Sequence, residues 1–243
     1  VHSHELAVRW TDLDPNKHLN NVSYVNYAVE SQAALVDAGV VGPQERPVAV
    51  TVAFQRPLLF TRRPALVEST RTGDVLEQEV CSRDGDRRVV YARVTTTFGV
   101  PATLEPGTGR GHDEPGRLRR SDLDAHGDAT VAGIFELLQE GRARFAARHR
   151  DAMLDGALAL GRMTLEVGPP LAWSETECTV RSRLTKVTGA LVMIESDILR
   201  GGTVHARGSS VHMPFDIETQ KPRRLTDEER ASMTGLVETQ EVA

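Results

Sequence analysis

The sequence predicts an α+β fold built twice in one chain, and three observations carry that reading. "RWTDLDPNKH" near the start has a partner in "RRSDLDAHGD" at 119–128. The shift that lays Asp12, Leu13 and Asp14 on Asp122, Leu123 and Asp124 also lays Glu30 on Glu140. Each acidic loop leads into a stretch whose apolar residues recur at helical spacing, and each helix precedes four stretches of strand character. One long helix with about five antiparallel strands makes a two-layer α+β unit, and a repeat of this length makes two units more natural than one irregular domain.

The elements follow in order. A short strand, "ELAVRW", enters the loop "DLDPNKHLNN" (12–21). Asn20 or Asn21 can cap "VSYVNYAVESQAALVDA", and Gly39 is a natural helix stop. The strands "VAVTVAF", "ALVESTRTG", "VLEQEVCS" and "RRVVYARVTTTF" come next, the last two hairpinned around "RDGD". "PATLEPGTGRGHDEPG" (101–116) is rich in Pro and Gly and poor in apolar residues, so it reads as a linker. The second copy starts with "GRLRRS". Its helix carries Ile134, Leu137, Leu138, Gly141 and Phe145 on one face. "MTLEV", "SETECTVRSRL", "ALVMIESDILR" and "TVHARGSSVHM" are its strands, with a hairpin at "RGGT". "LTDEERASMTGLV" predicts an exposed terminal helix capped by Thr226. The expected organisation is a first unit at 1–101, a linker at 102–116, a second unit at 117–225 and a helical tail at 226–243.

Bulk properties narrow the function. The 243 residues are 40% hydrophobic and 26% charged, as in a folded soluble protein, and the net charge of −5 gives no broad attraction to nucleic acid or anionic membrane. No apolar run is long enough to span a bilayer. Cys81 and Cys178 lie in different halves and form neither a disulfide framework nor a zinc spacing, so a reduced, cytoplasmic setting is expected. There is no G-x-S-x-G elbow and no H-E-x-x-H pair, and "GTGRGH" opens no helix. No metal or other cofactor is expected.

"RWTDLDPNKHLNNVSYVNYAVES" resembles the motif of acyl-ACP thioesterases and is similar to that of 4-hydroxybenzoyl-CoA-type thioesterases, both of the hotdog fold. The resemblance implies a double hotdog, each repeat a curved antiparallel sheet wrapped around one long central helix. It implies hydrolysis of an acyl-CoA or acyl-ACP thioester with a fatty or aromatic acyl group. Asp14 matches the family's base or nucleophile, and Asn16 and His18 match its helpers. The backbone amides of Asn20, Asn21 or Val22 would form the oxyanion hole, for which a helix start is suited by its unpaired donors and positive dipole end. Asp124 marks a second-site candidate, although Asn16 and His18 are replaced there by His126 and Asp128. The partner implied is the thioester itself, with no nucleic acid or membrane, and a homodimer of double hotdogs is expected.

The chain also departs from that family. Acyl-ACP thioesterases carry a Glu-Cys pair after a strand resembling "VAVTVAFQR", where this chain has Pro57-Leu58, and the motif lies in the first copy here but in the second of the plant enzymes. Both departures favour an Asp-centred, acyl-CoA-type mechanism over the plant-type one. The missing Glu-Cys pair and the eroded second copy also keep open a non-catalytic acyl-CoA binder, while the fold keeps open a dehydratase or hydratase. Asp12 reads as a loop anchor, Glu30 and Glu140 as salt-bridge residues, and Tyr24 and Tyr27 as helix–sheet packing. Arg62 and Arg63 read as solvated charges or as contacts for the phosphates of coenzyme A.

Overall fold

Strand β1 (His2–Leu6) opens the chain in a computed structural model, which describes all residues except 16, 110, 152, 154–157, 175, 176, 217, 220, 242 and 243. The chain divides into two compact units, Val1–Pro101 and Ala102–Ala243. In the first, β1 and a 3-10 turn (Trp10–Asp12) lead into helix α1 (Asn21–Asp37). Strands β2 (Pro47–Phe54), β3 (Ala65–Thr72), β4 (Val75–Asp84) and β5 (Arg87–Phe98) follow. The sheet order is β1-β3-β4-β5-β2, with antiparallel neighbours throughout.

Side-chain alternation decides which face of this sheet is buried. Ala65, Val67 and Ser69 of β3, Leu76, Gln78 and Val80 of β4, and Ala92, Val94, Thr96 and Phe98 of β5 all point inward. Helix α1 buries Val22, Ser23, Tyr24, Val25, Tyr27, Ala28, Ser31 and Leu35. Each large apolar side chain so buried contributes about 1.5–3 kcal/mol. Asn20 is the helix cap, its side chain accepting from the Val22 N–H at 3.0 Å. At the other end Gly39 takes φ +69° and the Val40 N–H reaches back to Leu35, the left-handed stop that a glycine makes cheaply. The two-residue turns at Gly73-Asp74 and Gly85-Asp86 each begin with a positive-φ glycine, which closes β3–β4 and β4–β5 as tight hairpins.

The second unit contains β6 (His112–Gly116), a 3-10 turn (Arg120–Asp122) and helix α2 (Val131–Arg148). Strands β7 (Leu158–Val167), β8 (Cys178–Val187), β9 (Val192–Arg200), β10 (Thr203–Asp216) and β11 (Lys221–Pro222) come before helix α3 (Asp227–Glu241). The order here is β7-β10-β9-β8-β6, with β11 on β10, again antiparallel. Ile134, Leu137, Leu138, Gly141 and Phe145 are all buried, as their spacing requires. Gly201 and Gly202 turn the β9–β10 hairpin with both φ angles positive. Among the described residues no helix is long and apolar enough to cross a membrane.

The structure corrects three details of the sequence reading. The strands before the acidic loops lie earlier than "ELAVRW" and "GRLRRS", because the residues nearest the loops coil into the 3-10 turns. As a result, the stretch 102–116 ends in a strand: β6 pairs with β8 from His112–Ser182 to Gly116–Cys178. Pro115 lies in β6 without disrupting it because β6 is an edge strand and needs no ladder bond on its outer side. Finally, α3 is docked as well as exposed. Met233 is fully buried against Phe145, Leu184, Val192 and Ile194, with Leu236 and Val237 packed beside it.

Candidate active site

The loop between the 3-10 turn and α1 is held by its own polar groups. Asp12 Oδ2 accepts the Arg9 N–H at 2.8 Å and the Tyr27 hydroxyl at 2.7 Å, so it ties the loop to the helix. The Asp12 carbonyl accepts the Asn20 N–H at 2.8 Å and the Ser23 hydroxyl at 3.1 Å. Half-buried Asp14 closes the next turn: its Oδ1 accepts the His18 N–H at 2.9 Å, and its N–H donates to the His18 carbonyl at 2.8 Å. Lys17 lies inside that turn with φ +62°. Leu19 is buried, and its N–H donates to the Leu58 carbonyl at 2.7 Å while His18 bridges Leu59, which fixes the loop against the segment after β2.

Two buried tyrosines of α1 stand behind this loop. Tyr24 receives the Leu58 N–H on its hydroxyl at 2.9 Å and packs edge-on against Phe54. Burial raises its pKa to about 12, and the nearby negative charge of Asp14 adds to that, so the carboxylate lies within electrostatic reach of the Tyr24 hydroxyl. Burial and the bond to Asp12 push Tyr27 up as well. Both phenols are neutral donors at any physiological pH.

At the helix start the three candidate amides differ. The Asn20 N–H is committed to Asp12 and the Val22 N–H to the cap side chain. Among the described residues the Asn21 N–H meets no acceptor. A donor at the positive end of a four-turn helix is suited to an oxyanion. The capping geometry therefore narrows the three amides to Asn21, because a helix cap necessarily consumes neighbouring donors. Asn16 lies outside the described residues.

The second unit repeats this loop closely. Asp122 Oδ2 accepts the Arg119 N–H, and its carbonyl accepts the Thr130 N–H and hydroxyl. Asp124 Oδ1 accepts from the amides of His126 and Asp128 at 2.8 and 3.1 Å. Gly127, φ +83°, stands where the first loop has Lys17. Thr130 caps α2 by accepting the Gly133 N–H. His126 is exposed and no histidine follows at the His18 position, so this copy holds an acid and a helix start without the histidine the motif carries there.

The remaining candidates separate clearly. Arg62 and Arg63 are exposed, and Arg63 pairs with Asp84 at 2.6 Å. With Leu58, Phe60, Arg87 and Tyr91, Arg63 walls a groove of about 460 Å³ in the first unit. The groove abuts the motif loop through Leu58 and Leu59, but Asp14 is not in its wall. Glu140 forms an i,i+4 ion pair with Arg144, and Glu30 is exposed. Cys81 and Cys178 are buried, which pushes both thiols up and away from the thiolate a nucleophile needs. Sequence reasoning missed the segment Pro57–Phe60 as a wall of the groove. Its signal was an exposed apolar run, "PLLF", in a loop, since Leu59 and Phe60 are 57% and 45% exposed.

Comparison with known proteins agrees with the motif. Residues 1–60 match the family model of the acyl-ACP thioesterase C-terminal domain. No curated protein sequence matches the chain. Among solved structures it is similar to the 12:0-ACP thioesterase from Umbellularia californica, at TM-score 0.65 and 12% identity over 88% of this chain and 94% of that one. It is similar also to a Lactobacillus plantarum protein assigned as an oleoyl thioesterase, at TM-score 0.66 and 12% identity over 88% and 96%. An acyl-ACP thioesterase from Bacteroides thetaiotaomicron aligns at TM-score 0.58 and 10% identity over 87% and 97%. The fold is thus that of the hotdog thioesterases.

Proposed function

We propose that the chain is a double hotdog that hydrolyses an acyl thioester, acyl-CoA or acyl-ACP, to the free acid and thiol. The observation that carries this reading is the uncommitted Asn21 N–H at the start of α1, next to the loop that holds Asp14 and His18. Asp14 acts as base for water or as nucleophile on the carbonyl carbon. As the carbonyl oxygen gains charge, the Asn21 amide and the α1 dipole stabilise it, a contribution of about 3 kcal/mol for one such donor. His18 and Asn16 orient the water and share the proton work that lets the thiolate leave. The matched family model over residues 1–60, which contains all of these residues, supports the assignment. In the second unit Asp124 and the start of α2 form a reduced copy with a scaffolding role. We further propose that the enzyme works in the cytoplasm as a homodimer.

A thiol-release screen over acyl-CoA and acyl-ACP chain lengths tests the reading, with turnover expected on at least one series. Tight acyl-CoA binding with no thiol release from any substrate would replace the enzyme with a binding protein. The loop's own use of the Asp14 carboxylate, bonded to the His18 N–H, is the observation that favours this second reading.

A further inference from the structure

We infer that the interior of the second unit holds a seat for the carboxylate of an otherwise apolar acid, with the guanidinium of Arg142 as the group that receives it. Arg142 lies on α2 between Gly141 and Phe145 of the buried face, where a cation is out of place. A guanidinium has five N–H donors. Among the described residues Arg142 meets one acceptor, the thioether Sδ of Met163 at 3.4 Å, a weak partner for a charge. Burial alone pulls its pKa down to about 10, with no carboxylate contributing. Arg142 nevertheless is only partly covered, so its unused donors are not all enclosed by packed side chains.

The first unit shows what a satisfied version of this position looks like. Gln32 stands twelve residues past the Asn20 cap, as Arg142 stands twelve past the Thr130 cap. It donates to Gln78 Oε1 at 3.0 Å and to Thr96 Oγ1 at 3.1 Å. Thr96 pairs with Val50 across the sheet, and in the second unit Ser210 pairs with Met163. By the same register Ser196 stands where Gln78 does. Exchanging Gln78 for Ser196 removes the long acceptor, and the helix residue becomes a cation.

The neighbouring polar pair leaves Arg142 as the donor. The Ser210 hydroxyl donates to the Ile194 carbonyl at 3.2 Å and therefore accepts the His212 Nε2–H at 3.0 Å. His212 is neutral, because burial first and the Arg142 charge second drive its pKa to about 3. A ligand there meets one full positive charge, a closed neutral pair and the buried Met163, with Leu138 one turn away on the same helix face. That set matches a monocarboxylate with an apolar body.

Calorimetric titration of the full chain with octanoate, against octanol and octylamine, tests this without any thioester present. Its result is therefore independent of the hydrolysis reading. Octanoate is expected to bind at least tenfold more tightly than either control, and Arg142→Met and Arg142→Gln to weaken it at least tenfold. Absence of octanoate binding, or equal binding by Arg142→Met, overturns the inference. A melting temperature for Arg142→Met equal to or above that of the parent is expected, since methionine removes a largely buried charge that has no carboxylate partner among the described residues. A large drop would make the guanidinium a structural member and overturn the inference as well.

Discussion

Lys17 holds φ at +62°, a region that costs a residue with a side chain roughly 1–2 kcal/mol, and Gly127 holds the corresponding turn at +83°. The same backbone shape in both copies, made by two very different residues, shows that the aspartate's bonds impose the turn. Asp14 Oδ1 holds the His18 N–H, and Asp124 Oδ1 holds those of His126 and Asp128. Asparagine at position 14 keeps an oxygen for that bond and removes the charge. Asp14→Asn is therefore expected to fold normally by circular dichroism and to lose about 10²–10⁴ in kcat for thiol release. An undiminished kcat would remove Asp14 from the chemistry.

Among elements, the two helices meet their sheets on different terms. A Cβ on Gly141 would lie 2.3 Å from Val180 Cγ1, so α2 approaches β8 more closely than any side chain permits. The first unit has Ser31 there, bonded to Ser69 at 3.3 Å. Gly141→Ala should cost about 1–3 kcal/mol, read from the urea midpoint. Helix α3 is secured differently. Arg223 pairs with Glu229, and Glu229 also completes a capping box with Thr226. The arginine first, and the amide and hydroxyl of Thr226 after it, lower the Glu229 pKa from 4.5 to about 2. A carboxylate lowered in the folded state stabilises it fully above pH 4.5, and that stabilisation is lost as pH falls through 2. Hydrogen exchange over residues 227–237 should accelerate across that window. Glu229→Gln should show faster exchange already at neutral pH and little further change on acidification.

For the whole molecule, duplication explains both the regularity and the asymmetry. Cap, carboxylate and helix start recur in the two units, yet the histidine of the motif is present in one, and Gln32 is answered by Arg142 in the other. We expect Asp124→Asn to leave kcat for thiol release unchanged, because its loop lacks a counterpart of His18. A loss comparable to that of Asp14→Asn would mean that both copies work.

Much of this was legible in the chain itself. A cap at Asn20 or Asn21, Gly39 as stop and the turns at "RDGD" and "RGGT" follow from local sterics and hydrogen bonding, which nearby residues settle among themselves. The acidic loop was equally readable, because its bonds run between residues a few positions apart. Other features depended on neighbours remote in sequence. Pro115 sits in a strand because β6 lies at an edge, and α3 is docked because Phe145 and Val192 offer Met233 a place. Of the three candidate amides Asn21 is spare among the described residues, because the Asp12 carbonyl and the cap side chain occupy the others. Among the described residues Arg142 faces no carboxylate because of which strand residues lie opposite α2. Short-range chemistry writes the elements, whereas burial and the supply of partners are properties of the packed whole, and they decide which polar groups are left free to act.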